Sequence, residues 1–339
     1  MNANQTANAI FNFRRFRRAA GFLAAAAFAM HSGAAAEEPA TVATIAPLHS
    51  LLQNILGDSG AAHLLIAPDE SPHHARLSPS RARLLQNAVA VFYIDELFER
   101  FLVRPLRSVP ESARARIGGE PEPYARDEHD DHGEHDEHDA HDEHDDHDEH
   151  DAHDDHDEHD EHGGVDWHIW LDIERARQIA RLMAQKLAAV NPSRAAEYDG
   201  NLRRLENRLD DLDSRLKKTL SPLRGRPFMT MHDAYRHFTR RYGLSDIGAL
   251  RGGHAESLSA KRLRDARRKL TESGAVCIFG EPQLPARQLA AAAENTGVRT
   301  GVLDPLGANL TPGASLYFEL MLQMGRAFSE CLSPPANKN

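Results

Sequence analysis

The stretch "PSRAAEYDGNLRRLENRLDDLDSRLKKTL", residues 192–220, decides the fold. Leu202, Leu205, Leu209, Leu212, Leu216 and Leu220 recur at steps of three and four, the spacing that gathers side chains on one face of an α-helix. Pro192 and Ser193 punctuate its start and Pro222 follows its end. Such a helix of about 28 residues spans roughly 42 Å at 1.5 Å per residue. A coiled-coil dimer is one use of a leucine stripe. This one covers fewer than four heptads, so packing across two lobes of its own chain is the expectation.

On both sides of that helix, strand and helix patterns alternate. Upstream, "TVATIAPLHSLLQNIL" reads as a strand running into a helix and "AAHLLIAP" as a second strand. Then "RARLLQNA" is helical, "VAVFYI" is a strand, and "DELFERFLVRPL" reads as a helix with Asp95 as its N-cap. After that, "VDWHIWLDIERARQIARLMAQKLAAV" reads as a short extended piece and then a helix. Downstream, "PFMTM", "AVCIF" and "VRTGVLD" read as strands. The helices there are "HDAYRHFTRRYG", stopped by Gly243, "SLSAKRLRDARRKLTESG", capped by Ser257 or Ser259, "PARQLAAAAENTG" and "ASLYFELMLQMGRAF". Alternation of this kind implies α/β lobes with parallel sheets. The expected organisation is a signal at 1–36, an N-terminal lobe at 37–191, the linking helix at 192–221, a C-terminal lobe at 222–332 and a tail at 333–339.

The N-terminus, "RRFRRAAGFLAAAAFAMHSGAAAEE", places arginines before a short apolar run and then small residues. That is the order of a cleaved secretory signal, and the run is too short for a membrane span. Export puts Cys277 and Cys331, the only cysteines, in an oxidising compartment. One disulfide between them is the simplest outcome, and two buried thiols the alternative.

From His129 a histidine falls on every third position: His129, His132, His135, His138, His141, His144, His147, His150, His153, His156, His159 and His162. The spacers are almost all Asp or Glu. Of the 51 acidic residues in the chain, 21 lie in 127–162, which leaves 30 against 40 Lys and Arg. The net charge of −11 therefore belongs to this segment, and the remainder is mildly basic. Its only apolar side chains are Ala140 and Ala152, too few to offset the entropy of ordering, so disorder over 127–164 is expected in the metal-free chain. It offers many weak, exchangeable imidazole–carboxylate sites, an accessory that gathers metal rather than one fixed site. Apart from Arg14, Arg15, Arg17 and Arg18 there is no basic stripe, and aromatic residues make up 6%, which argues against nucleic acid as a partner.

Three of the other histidines share a context. His73 follows the strand "AAHLLIAP", His168 lies where order resumes after the acidic segment, and His232 directly follows "PFMTM". Open α/β sheets bind ligands at the carboxyl ends of their strands. Asp304, straight after "VRTGVL", occupies the same kind of position. Singly, a turn cap accounts for His73, a packed core residue for His168 and a helix cap for His232.

The stretches "PHHARLSPSRARLLQNA", "DWHIWLD", "HDAYRHFTRRYGL", "CIFGEPQ" and "LDPLG", in this order, resemble the zinc-specific periplasmic solute-binding proteins of the metal-binding lipoprotein-like family. The resemblance covers about 41–332. It implies two Rossmann-like lobes with parallel sheets, joined by one long rigid helix, with a metal site in the cleft. It maps ligands onto His73, His168 and His232, a possible fourth onto Asp304, and a disulfide onto Cys277 and Cys331. Pro72 stands where some zinc-type members carry Glu, so water or Asp304 is the expected fourth ligand, unless His74 swings in. Three imidazoles suit Zn(II) better than Mn(II). The implied function is periplasmic capture of zinc by a monomer for a membrane permease of a zinc ABC transporter. A manganese- or iron-type binding protein, a zinc buffer without a transporter, and a zinc hydrolase are the alternatives. Against a hydrolase, the chain has no HExxH motif, and Glu256 and Glu281 are acids without an assigned role.

Overall fold

The computed structural model describes residues 40–118, 166–251 and 258–334. The expected export signal, the twelve spaced histidines, Glu256, Ser257 and most of the tail lie outside these residues. Among the described residues, eight strands form two four-stranded sheets, each parallel throughout.

The first sheet has the order β2 (Ala62–Leu64), β1 (Ala40–Ala43), β3 (Ala88–Tyr93), β4 (Arg114–Arg116). Its helices are α1 (Ala46–Leu56), α2 (Pro79–Gln86) and α3 (Ile173–Val190). Asp172 caps α3, its carboxylate accepting from Glu174 N at 2.6 Å and Arg175 N at 3.1 Å. Then comes α4 (Ala195–Leu220), which begins three residues later than the pattern suggested because Pro192–Arg194 winds as a 3-10 turn. The second sheet has the order β6 (Asp246–Ala249), β5 (Phe228–Thr230), β7 (Cys277–Gly280), β8 (Arg299–Val302). Its helices are α5 (Arg236–Tyr242), α6 (Ala260–Glu272), α7 (Ala286–Ala293) and α8 (Leu316–Leu332). Gly243 ends α5 in the left-handed conformation, φ 66°, that glycine adopts without penalty. Ser259 is the cap of α6.

The leucine stripe is buried within this chain. Leu205, Leu209, Leu212, Leu216 and Leu220 face α1 and α3 of one lobe and α8 of the other. Helices α4 and α8 approach so closely that a Cβ on Gly325 would stand 2.6 Å from Leu216 Cδ2. One continuous core runs through both sheets along this contact, with a smaller apolar cluster around Ile278, Leu250 and Leu270. Further ties cross between the lobes. Trp170 Nε1 donates to the Pro305 carbonyl at 2.8 Å, Tyr317 Oη to the Trp170 carbonyl at 2.8 Å, and Asn54 Nδ2 to the Ala314 carbonyl at 2.7 Å. Arg241 grips Asp213 with two bonds of 2.9 Å.

Three sequence expectations need correction. "DELFERFLVRPL" forms no α-helix: Asp95 Oδ1 accepts from Leu97 N at 2.8 Å in a tight turn, and 3-10 turns follow at Arg100–Leu102 and Pro105–Ser108. "HIWL" is a 3-10 turn, Ile169–Leu171, rather than an extended piece. The edge strands β4 and β6 were not expected. Cys277 in β7 and Cys331 in α8 are paired with Cα atoms 6.1 Å apart, inside the usual disulfide range.

Candidate metal centre

His73 lies in a turn beyond β2, closed by His74 N donating to the Ser71 carbonyl at 3.1 Å. His168 directly precedes the 3-10 turn that leads into α3, and His232 follows β5. Their ligand atoms all lie within 4.8 Å of one another. The ring centroids are 5.9 Å (His73 to His168), 5.7 Å (His73 to His232) and 4.9 Å (His168 to His232) apart. His168 and His232 are buried and His73 is partly buried. Among the described residues this is the one group of three or more His, Cys, Asp or Glu with such convergence.

Carboxylates orient two of the three rings. Asp166 Oδ1 accepts from His168 Nδ1 at 2.8 Å and from the His168 backbone N–H at 2.9 Å. Glu281 Oε1 accepts from His232 Nδ1 at 3.0 Å and from the Tyr235 hydroxyl at 2.8 Å. A carboxylate can only accept, so each ring carries its proton on Nδ1 and turns Nε2 toward the other histidines. His237, on α5, donates from Nε2 to the Asp166 carbonyl oxygen at 2.8 Å, so the C-terminal lobe braces the turn that carries His168.

The electrostatics suit cation capture. Burial pushes the His168 imidazolium down, against the opposing pull of Asp166, which keeps a neutral ring ready to coordinate. Burial alone would raise Asp166, but the bonds it accepts from the His168 ring and backbone N–H outweigh it and hold the carboxyl below its ordinary value. Glu281 is likewise lowered: burial opposes ionisation, and His232 more than compensates. Burial and then the Glu281 charge push the Tyr235 phenol well above its ordinary value, so it stays a donor.

The apolar side of the site is Phe98, whose ring stands 4.6 Å from His73 and 5.2 Å from His168, with Trp170 behind it at 5.7 Å. Asp304 is not drawn into the three-histidine group. Its Oδ1 accepts from Leu306 N at 3.1 Å and Gly307 N at 2.8 Å, and its Oδ2 from Ala308 N at 2.6 Å, which fixes the loop beyond β8. His74 is exposed and lies outside the group. Sequence reasoning passed over Asp166, Tyr235, His237 and Phe98 and left Glu281 without a role. Glu281 was findable, since it sits one residue beyond β7, much as His232 sits two beyond β5.

The family model described as zinc-uptake complex component A, periplasmic (ZnuA), matches residues 41–331. The chain belongs to this family. The ZnuA described as a high-affinity zinc uptake system protein in Paracoccus denitrificans is 42% identical over 305 residues, 88% of this chain and 93% of its own length. Its counterpart in Brucella suis is 35% identical over 326 residues, 92% of this chain and 98% of its own. In fold, the chain is similar to a zinc-bound ZnuA lacking residues 138–173 of its own numbering (TM-score 0.67, 21% identity, 88% of this chain and 100% of that one). It is also similar to TroA, the periplasmic zinc-binding protein of Treponema pallidum (TM-score 0.70, 18% identity, 88% and 100%). The two-lobed, parallel-sheet architecture is therefore that of ZnuA and TroA.

Proposed function

We propose that this chain is the periplasmic zinc-binding component of an ABC-type zinc importer, and that it passes Zn(II) to the importer's membrane permease. The observation that carries this reading is the convergence of three histidine ligand atoms within 4.8 Å, two of them on buried rings backed by carboxylates. Three neutral imidazoles and one remaining position match the tetrahedral preference of Zn(II). Membership of the ZnuA family and the names of its relatives support the same cargo. The fourth ligand is water, or Asp304 if it gives up backbone bonds.

The carboxylates that touch the triad are both committed to ligand rings. They act as orienters, and neither is placed to serve as a general base for a hydrolase. The histidine-rich acidic segment gathers zinc near the site, its carboxylates attracting cations over about a Debye length. Residues 1–36 direct export to the periplasm, 37–191 and 222–332 form the lobes, 192–221 links them, and 333–339 is a tail. The mature protein works as a monomer with Cys277 and Cys331 oxidised.

The test is metal stoichiometry and affinity of the purified protein, with His73, His168 and His232 each changed to Ala. Each change weakens the tight equivalent by orders of magnitude. Wild-type affinity in the triple variant would sink the assignment. Growth in chelated medium, impaired by gene deletion and restored by added zinc, separates importer from buffer.

A further inference from the structure

Phe98 is 2% exposed and packs edge-on against two of the three imidazoles, at 73° to His73 and 89° to His168. The turn that carries it is tied down at the next residue, Glu99. Glu99 N donates to the Asp95 carbonyl at 2.8 Å, the Glu99 carboxyl accepts from Ile94 N at 2.7 Å, and Leu102 N donates to the Glu99 carbonyl at 2.8 Å. Asp95 Oδ2 is also held by Arg116 at 3.1 Å. The adjacent Leu97 is 53% exposed, so this short turn crosses from the surface to the metal site within one residue. The buried ring thus forms one wall of the site.

We infer that Phe98 is a specificity-determining residue, which restricts the three-histidine site to four-coordinate ions by filling the flank where a six-coordinate ion would keep its water ligands. This rests on the zinc-site reading above and deepens it. Zn(II) has no geometric demand from its d-electrons and is satisfied by three imidazoles and one further ligand. Hard divalent ions such as Mn(II) favour octahedral, oxygen-rich coordination, so on three imidazoles they need room for three more oxygen ligands. The ligand set alone sets relative affinities only through ligand type; the apolar surroundings decide how much water reaches the metal. On the Glu281 side the site is polar, with the Tyr235 hydroxyl and the carboxylate in contact. On the Phe98 side it is carbon.

The probe is Co(II), whose visible absorption is intense in four-coordinate sites and weak in six-coordinate ones. The full-length protein receives one equivalent of Co(II), and the spectrum of the His232→Ala variant is subtracted to isolate the cleft. The wild type gives the intense four-coordinate bands. Phe98→Leu and Phe98→Ala lose intensity, and the ratio of Zn(II) to Mn(II) affinity, from competition titrations, narrows by about tenfold or more, the scale of other second-sphere changes. Phe328→Leu is the control for general loosening. It truncates a fully buried ring of the C-terminal lobe, stacked on Phe238 at 5.4 Å, and leaves the bands and the ratio in place. A wild-type spectrum and ratio in Phe98→Leu overturn the inference, as does an equal change in Phe328→Leu. If wild type and His232→Ala give the same spectrum, it is the three-histidine reading itself that fails.

Discussion

Gly118 and Trp167 meet so closely that a Cβ on Gly118 would stand 2.8 Å from Cζ3 of the indole. Gly118 N also donates to the Ile94 carbonyl at 2.8 Å, which pins this point to the end of β3. The described residues on either side of 119–165 are therefore held against each other. Trp167 lies between Asp166 and His168, so this contact stands directly beside the metal site.

Deleting residues 127–162 is accordingly expected to leave the fold and one tight zinc per chain, while several weaker equivalents disappear. The two ends already touch, so a shorter connection needs no rearrangement. Closing a loop about a quarter as long changes the chain entropy by only about 1 kcal/mol. Zinc titration and thermal unfolding of the truncated protein check this. An unfolded product, or one that has lost its tight equivalent, would show that the segment is part of the site.

Removing a carboxylate behind a ligand is expected to weaken zinc without abolishing it. Glu281→Ala frees the His232 ring to rotate and to change tautomer, and Asp166→Ala does the same for His168. Each is expected to lower affinity about 10- to 100-fold, less than loss of a ligand histidine. Tyr235→Phe, which removes one bond to Glu281 and leaves the His232 contact, is expected to have a smaller effect than Glu281→Ala. Competition against a chromophoric chelator gives the order. A Glu281→Ala protein that binds like the wild type would refute the orienting role.

The sequence carried the long helix and the histidines for different physical reasons. The α4 stripe was legible because one face stays buried over 26 residues, long enough for the helical period to stand out. The three histidines were legible because strand ends can be located from β-branched runs. Strand β4 was not, because its three residues, Arg114–Arg116, put charged side chains on both ends of an edge. The turn at 95–99 was misread because Asp95 opens a tight turn as readily as a helix, and only tertiary burial of Glu99 decides between them. Asp166 and Glu281 could not be assigned from pattern. Glu281 meets His232 across 49 positions, a pairing that exists only once β5 and β7 lie side by side.

The tie between lobes through Tyr317 gives a stability prediction. Its hydroxyl donates to the Trp170 carbonyl at 2.8 Å in a fully buried setting. Tyr317→Phe keeps the ring and leaves that carbonyl without this partner, which is expected to cost about 1–3 kcal/mol. Because the Trp170 ring stands 5.2 Å from His168, zinc affinity falls as well, but less than in Asp166→Ala. Urea unfolding of the metal-free protein reads the first effect. An unchanged midpoint would mean that the two lobes are held together without this bond.

Glu99 gives the protein a pH-dependent stability that can be isolated by one substitution. The side chain is fully buried, and burial raises its pKa from 4.5 to about 8, against the partial relief of the bond from the Ile94 backbone N–H. The carboxyl is therefore neutral in the folded protein through most of the neutral range, while the unfolded chain ionises it near 4.5. With the folded-state value above the unfolded one, its contribution is complete below about pH 4.5 and is lost progressively as pH rises through about 8. In that window the slope due to this group approaches about 1.4 kcal/mol per pH unit. Glu99→Gln keeps an acceptor for the 2.7 Å bond from Ile94 N and cannot ionise. The variant is thus expected to lie within about 1 kcal/mol of the wild type near pH 5 and to exceed it by a few kcal/mol near pH 8. Denaturant unfolding of the metal-free proteins at both pH values measures the difference directly. A gap that stays constant from pH 5 to 8 would show that Glu99 is ionised in the fold, and that a partner other than burial sets its charge.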